Sequence, residues 1–124
     1  MRALYNEWDT DYMNKSQKLM MNFWTPTFDS WGGGLNDSSM PWYARYDYLE
    51  VHRYNWDTGD FYFHWRDDFD TFDESRWEVK EGWTFEGNSS SFYHSQVYSE
   101  NGALVLKMEK NWGNELRGYT HYLQ

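Results

Sequence analysis

Three acidic residues near the start of the sequence stand at alternate positions, in the segment Glu7-Trp8-Asp9-Thr10-Asp11. In an extended strand, alternate side chains share one face, so these carboxyl groups would point the same way. Neighbouring carboxyl groups can carry out general acid–base chemistry. A solvated acidic turn is the commoner interpretation of such a cluster, and we prefer it here.

A carboxylate and a guanidinium are spaced two apart in Glu115-Leu116-Arg117. A strand would place both charged groups on one face, where they could form paired hydrogen bonds to a ligand. An exposed ion pair is the alternative interpretation.

Metal ligation has little direct support in the sequence. The acidic run of Asp67, Asp68, Asp70 and Asp73 suggests calcium, but it lacks the glycine and the final glutamate of an EF-hand loop. The histidines show no zinc-ligand spacing, and the sequence has no cysteine for a disulfide, a thiolate site or a thiol nucleophile; the histidines are His52, His64, His94 and His121.

Charge and composition narrow the class of partner. The 124 residues include 20 acidic and 11 basic ones, a net charge of −9 without a basic cluster, so we expect no nucleic-acid partner. Aromatic residues make up 23% of the sequence, although the mean hydropathy is only −1.02. Many rings must therefore lie beside polar groups, as they do in sugar sites, protein interfaces and ordinary sheet packing.

No segment is apolar enough for a signal peptide or a membrane span. We therefore expect no membrane partner, and secretion would require a start upstream of Met1. A β-sandwich often needs roughly 200–250 residues. The 124 residues thus indicate at most one domain, and we expect an incomplete one.

Short runs typical of strands alternate with Gly, Asn, Asp and Ser clusters, which indicates an all-β chain. The Asn101-Gly102 pair predicts a tight hairpin. A change of phase near Asp47–Tyr48 predicts a β-bulge. The predicted strands are Lys18–Thr25, Trp42–Tyr54, Asp60–Arg66, Trp77–Trp83, Tyr93–Ser99, Ala103–Glu109 and Glu115–Tyr122.

Two blocks of sequence carry a family resemblance. The first contains Lys18-Leu19-Met20-Met21-Asn22-Phe23-Trp24, then Asp29-Ser30-Trp31-Gly32, then Trp42-Tyr43-Ala44-Arg45-Tyr46-Asp47-Tyr48-Leu49. It resembles the C-terminal part of the family 16 glycoside hydrolases, in the lichenase branch. The second begins Asp67-Asp68-Phe69-Asp70-Thr71-Phe72-Asp73 and is similar to the N-terminal part of that family.

The order of the blocks is reversed, so the chain resembles a circularly permuted lichenase. Close termini make such a permutation easy for a sandwich. The resemblance implies a jelly-roll β-sandwich of the concanavalin A-like kind. It divides the chain into 1–54, like the family C-terminal part, a connector at 55–60, and 61–124, like the family N-terminal part.

The family hydrolyses β-glucan with retention, using two carboxyl groups roughly 5–5.5 Å apart. They come from an E-x-D-x-E strand that does not occur in this sequence. In the permuted order that strand would precede Met1. The segment starting at Glu7 is the nearest match, but it lies where the family has an ordinary connection, so we assign no catalytic residue.

Other positions match the family's cleft and its calcium site. The resemblance implies sugar binding by Asn22, Trp24, Trp31, Asn88, Phe92, Glu115 and Arg117. It implies a structural calcium ion held by the carboxylate of Asp47 and the carbonyls of Gly102 and Asp68, with no cofactor for catalysis. Core packing is the alternative role for each tryptophan, and a glycan on Asn88 would contradict its place in the cleft.

We therefore expect an extracellular endo-β-glucanase that acts on β-1,3-1,4- or β-1,3-glucan, of which this chain supplies sugar-binding residues. A non-catalytic glucan-binding sandwich is the second hypothesis. A self-associating β protein, in which the aromatic rings only pack, is the third.

Overall fold

The computed structural model describes residues 18–110 and, as a strand of backbone, residues 116–123. Within this part of the chain, nine β-strands are accompanied by one four-residue helix and two short 3-10 turns. The bounds are β1 Met20–Phe23, α1 Asp29–Gly32, β2 Trp42–Tyr46, β3 Leu49–Asn55, β4 Asp60–Asp67, β5 Trp77–Val79, β6 Ser90–Phe92, β7 Val97–Glu100, β8 Ala103–Lys110 and β9 Leu116–Leu123.

Seven strands form one hydrogen-bonded sheet with the path β1-β9-β8-β2. Strand β9 also pairs with β5 and β6, and β8 also pairs with β7. All these pairs are antiparallel except β6–β9, which is parallel. The two remaining strands, β3 and β4, form a separate antiparallel hairpin.

One core cluster joins the two ends of this sheet. Its buried side chains come from β1 and β5 at one end and from β7 and β8 at the other, with further contributions from β6 and the segment after β4. The sheet therefore closes over the cluster as the two layers of a β-sandwich, and the predicted all-β sandwich is confirmed. The buried members are Met21, Phe69, Trp77, Phe92, Val97, Leu104 and Leu106.

Strand β8 follows its predicted alternation with one exception. Leu104, Leu106 and Met108 are buried as expected. Val105 is also fully buried, although it lies outside the core cluster. It is flanked across the sheet by Arg45 on β2 and Tyr98 on β7, whose long side chains can cover it.

The predicted hairpin at Asn101-Gly102 joins β7 to β8. Both residues have positive φ, at 53° and 71°, and Glu100 pairs with Ala103 on either side of them. Two central residues with positive φ define the tight turn that Asn-Gly favours. This prediction is confirmed.

The bulge predicted near Asp47–Tyr48 is wrong. Strand β2 stops pairing with β8 after Tyr46, and β3 begins to pair with β4 at Leu49. The change of phase therefore marks a break between two strands that have different pairing partners. A register shift lies instead between Val51 and His52. Residues 56–59 of the predicted connector form the turn of the β3–β4 hairpin, and Asn55 and Asp60 pair with each other in the two strands.

Three further strand predictions need correction. The strand predicted from Tyr93 to Ser99 begins only at Val97, after a 3-10 turn at His94–Gln96. The strand predicted from Trp77 to Trp83 ends at Val79, before the left-handed Gly82. Strand β6 was not predicted, because its sequence Ser-Ser-Phe has little hydrophobic character. None of the helices in the described part of the chain is long and apolar enough to span a membrane.

Candidate functional site

Three aromatic rings lie around Phe92 of β6, and we call the four residues the aromatic cluster: Trp24, Trp83, Phe85 and Phe92. The ring of Trp83 is stacked on that of Phe92, with centroids 5.7 Å apart and an interplanar angle of 22°. Phe85 contacts both rings, and Trp24 meets Phe85 edge-on at 5.0 Å. Each ring in the cluster thus restricts the position of another.

The cluster has a buried base and an exposed top. Phe92 has no exposed surface, whereas Trp83 is 40% exposed. A ring that is stacked on a buried neighbour keeps its other face available to a ligand, and its orientation is already fixed before binding. Indole faces pack well against the apolar face of a planar or ring-shaped ligand.

Backbone hydrogen bonds place Trp83 over Phe92. The Gly82 amide donates to the Phe92 carbonyl at 2.7 Å, and the Phe92 amide donates to the Trp83 carbonyl at 2.8 Å. The Thr84 hydroxyl donates to the Ser90 carbonyl at 2.7 Å. The turn that returns the chain includes Gly82 at φ +64°, a conformation that favours glycine.

A second loop brings the first sequence block to the same place. The Thr27 amide donates to the Gly87 carbonyl, and the Ser89 amide donates to the Thr25 carbonyl, both at 2.9 Å. The Ser89 hydroxyl donates to the Pro26 carbonyl at 3.0 Å. These bonds fix the loop after Trp24 beside the loop that contains Asn88.

Asn88 organises this second loop. Its Oδ1 accepts hydrogen bonds from the amide and the hydroxyl of Ser90, at 2.8 and 2.7 Å. Its Nδ2 is buried and has no hydrogen-bond partner within the described residues. The amide oxygen thus has a local structural role, and the nitrogen retains its capacity to donate.

Trp31 lies farther out, on α1. It is 78% exposed and meets Phe28 edge-on at 5.4 Å. A Cβ added to Gly87 would come within 3.8 Å of the Phe28 ring. Trp31 is therefore connected through Phe28 to the loop that holds Asn88, and it offers a second exposed indole.

The remaining predicted cleft residues are placed by strand register. Asn22 on β1 is half-buried and pairs with Thr120 on β9. Arg117 on β9 lies opposite Ser91 on β6, next to Phe92. Glu115 lies outside the described residues, as does the acidic segment that begins at Glu7.

A cavity of about 240 Å³ adjoins Trp83 and is lined by Lys18, Glu78, Lys80 and Trp83. Lys80 donates a hydrogen bond to Glu78, which lowers the pKa of the Glu78 carboxyl, and the charge of Lys18 acts in the same direction. At neutral pH Glu78 is therefore a charged, paired carboxylate, and it has no proton to give as a general acid.

Strand pairing brings the chain segments that contain the three predicted calcium ligands to one corner of the fold. Asp47 directly follows the last β2–β8 pair, Tyr46–Leu104, and Gly102 directly precedes β8. Asp68 follows the β3–β4 pair formed by Leu49 and Asp67.

The donors at this corner fit calcium in kind, since calcium prefers carboxylate and carbonyl oxygens. Asp68 Oδ1 accepts from Arg66 Nε at 2.6 Å, which is compatible with ligation by its carbonyl. A Cβ on Gly102 would lie 3.5 Å from Asp70 Oδ1, so a further carboxylate is close. Across the described residues, no group of three or more Asp, Glu, His or Cys side chains could hold a metal ion by itself.

Sequence reasoning missed Trp83 as a site residue, as well as its neighbour Phe85. The alternation of Trp83 and Phe85 just before Gly87-Asn88 was the available signal. Phe92, which was predicted to contact sugar, is fully buried and supports Trp83 from beneath.

Comparison with known proteins adds one match. The chain is 33% identical to a β-glucanase of Fibrobacter succinogenes over 107 residues. The chain is related to a β-glucanase. The matched region is 83% of this chain but only 30% of the relative's length. No protein-family model matches the chain.

Proposed function

We propose that this chain is the sugar-binding part of an endo-β-glucanase of glycoside hydrolase family 16, in circularly permuted order. The observation that carries the proposal is the half-exposed Trp83 stacked on the buried Phe92. A sugar ring has an apolar C–H face and a polar rim of hydroxyl groups, so it suits an indole face beside charged and amide groups.

The electrostatics of the chain favour a neutral polymer. With a net charge of −9, the chain would repel a polyanion such as a nucleic acid. β-Glucan carries no charge, and a mixed β-1,3-1,4-linked glucan is the substrate class that the lichenase resemblance favours. A polymer of this kind is met outside the cell, so we propose an extracellular site of action.

Hydrolysis with retention needs an acid/base and a nucleophile. The 124 residues contain no E-x-D-x-E segment. We propose that residues beyond these 124 supply both carboxyl groups, whereas this chain supplies Trp83, Trp24, Trp31 and the groups around Asn88 that hold the polymer.

The test is to incubate the chain with mixed-linkage β-glucan and to measure retention on the insoluble polymer together with reducing-sugar release. We expect retention without release, because the chain has exposed indole rings and its sequence has no E-x-D-x-E segment. Failure of the chain to bind would contradict the proposal. Release that is abolished by Glu7→Gln would show that the catalytic carboxylates are in this chain.

We further propose a structural calcium ion at the corner formed by Asp47, Asp68 and Gly102. Calcium at a concentration well above its Kd should raise the Tm by about 5 °C, because a ligand that binds only the folded state stabilises it. Asp47→Ala should remove this rise, while Glu86→Ala, at an exposed position elsewhere, should keep it. Scanning calorimetry in calcium and in chelator measures both effects, and an equal rise in the two variants would exclude Asp47 as a ligand.

A further inference from the structure

The tip of the β3–β4 hairpin carries an unusually exposed tryptophan. Trp56 is 84% exposed and begins the turn between the two strands. Next to it, Tyr54 pairs with Phe61 across the hairpin, and both rings are also exposed, at 40% and 65%. A cluster of exposed rings is a common mark of a binding surface.

Hydrogen bonds hold this tip in one geometry. Asn55 Oδ1 accepts from the Asp57 amide at 2.9 Å, and the Asn55 carbonyl accepts from the Gly59 amide at 2.8 Å. Gly59 closes the turn at φ +70°. The ring of Trp56 meets that of Tyr54 edge-on, at 4.8 Å and 80°. This contact restricts the orientation of the indole, most of whose surface remains exposed.

The tip borders a shallow cavity of about 510 Å³ that is open to solvent, lined by Tyr54, Asn55, Trp56, Asp57 and Tyr62. This volume lies within the range of small-molecule sites, roughly 300–1,000 Å³. Because Asn55 Oδ1 is engaged, the amide NH₂ is its remaining group for a ligand. Asp57 adds a carboxylate acceptor, and the two tyrosines add hydroxyl groups.

We propose that this cavity, the hairpin-tip site, is a second binding site for a neutral saccharide. A pyranose ring can place its apolar face on Trp56 and its hydroxyl groups toward the amide of Asn55 and the carboxylate of Asp57. The carboxylate and the net charge of −9 disfavour anionic sugars. A purely apolar partner would leave these polar groups unpaired.

The hairpin-tip site is distinct from the aromatic cluster. It shares no residue with that cluster, and within the described residues β3 and β4 pair only with each other. That its sugar is a β-glucan rests on the proposed function. Two sites on one chain would engage one long polymer together and raise its apparent affinity without any new contact.

Trp56→Ala tests the site, with Phe63→Ala as the matched control, since Phe63 is a 57% exposed ring on the same hairpin outside the cavity lining. Binding to insoluble β-glucan should weaken about tenfold in Trp56→Ala, the loss expected for one stacked ring in a two-site binder. Phe63→Ala should bind as the unaltered chain does. Unchanged binding by Trp56→Ala, or equal losses in both variants, would overturn the proposal.

A residue-specific measurement distinguishes sugar binding at this site from sugar binding at the aromatic cluster. In a Trp83→Ala background, the indole N–H resonance of Trp56 should still shift when a soluble β-glucan oligosaccharide is added. A Trp56 resonance that stays fixed while Trp83 in the unaltered chain responds would overturn the hairpin-tip site and leave the proposed function standing. A Trp56 resonance that shifts with protein concentration, together with a Trp56→Ala variant that is monomeric in sedimentation when the unaltered chain is not, would overturn the sugar site. Trp56 would then contact a second copy of the chain.

Discussion

Replacing Trp77 by alanine should cost about 3–5 kcal/mol of unfolding free energy, as is usual for a large buried aromatic ring. Trp77 is 1% exposed and packs against Phe69, with ring centroids 6.0 Å apart. Its indole nitrogen donates to Asp67 Oδ2 at 2.8 Å. The loss is a large share of the roughly 5–15 kcal/mol that stabilises a typical domain.

The same hydrogen bond anchors the chain after β4. Asp67 also accepts from the Phe69 amide at 3.0 Å, where Phe69 adopts a positive φ of 54°. Losing Trp77 therefore leaves a cavity and one carboxylate oxygen without its indole donor.

Urea unfolding followed by circular dichroism measures the loss. Trp77→Phe keeps most of the packing and removes the hydrogen bond, so it should lower the free energy of unfolding by about 1–3 kcal/mol. This variant should stay folded even if Trp77→Ala does not fold. Trp56→Ala, at an 84% exposed ring, should change stability by less than about 0.5 kcal/mol. Equal stability of Trp77→Ala and Trp56→Ala would contradict the assignment of Trp77 to the core.

The largest functional effect is expected at Trp83. Trp83→Ala should weaken binding of a soluble β-glucan oligosaccharide by about tenfold or more, because it removes the exposed face of the aromatic cluster. Trp83→Phe should keep part of the affinity, since a smaller ring can still stack on Phe92. Isothermal titration with each variant measures the Kd.

Tyr43→Ala is the control for Trp83. Tyr43 is 43% exposed, close to the 40% of Trp83, but it lies on β2 and outside the aromatic cluster. Its substitution should leave sugar binding unchanged. Equal loss of affinity in the two variants would show that exposed rings contribute through general surface properties rather than through a defined site.

Strand β8 shows what the sequence predicts well. Its alternating leucines and the Asn101-Gly102 turn are local signals, and each is realised by direct neighbours in the structure. The fate of Trp42–Tyr54 shows the limit. This single predicted strand is two strands in two different sheets, because β2 pairs with β8 and β3 pairs with β4. Which distant strand each of them pairs with leaves no pattern in the local sequence.

The candidate site shows the same contrast. The resemblance points to Asn88 and Trp24, which stay predictions, whereas the stacking of Trp83 depends on a backbone pairing with Phe92. The burial of Phe92 likewise depends on what covers β6, which single-sequence alternation does not encode. Exposure and stacking of rings are properties of the assembled sandwich, and for that reason the sequence alone assigned the buried partner and overlooked the exposed one.

Retention on insoluble mixed-linkage β-glucan, compared between the unaltered chain and Trp83→Ala at matched stability, tests the central claim most directly. We predict that the unaltered chain is retained without releasing reducing sugar and that Trp83→Ala remains largely in solution. Equal retention of the two proteins, or no retention of either, would contradict sugar binding at the aromatic cluster through Trp83 and Phe92.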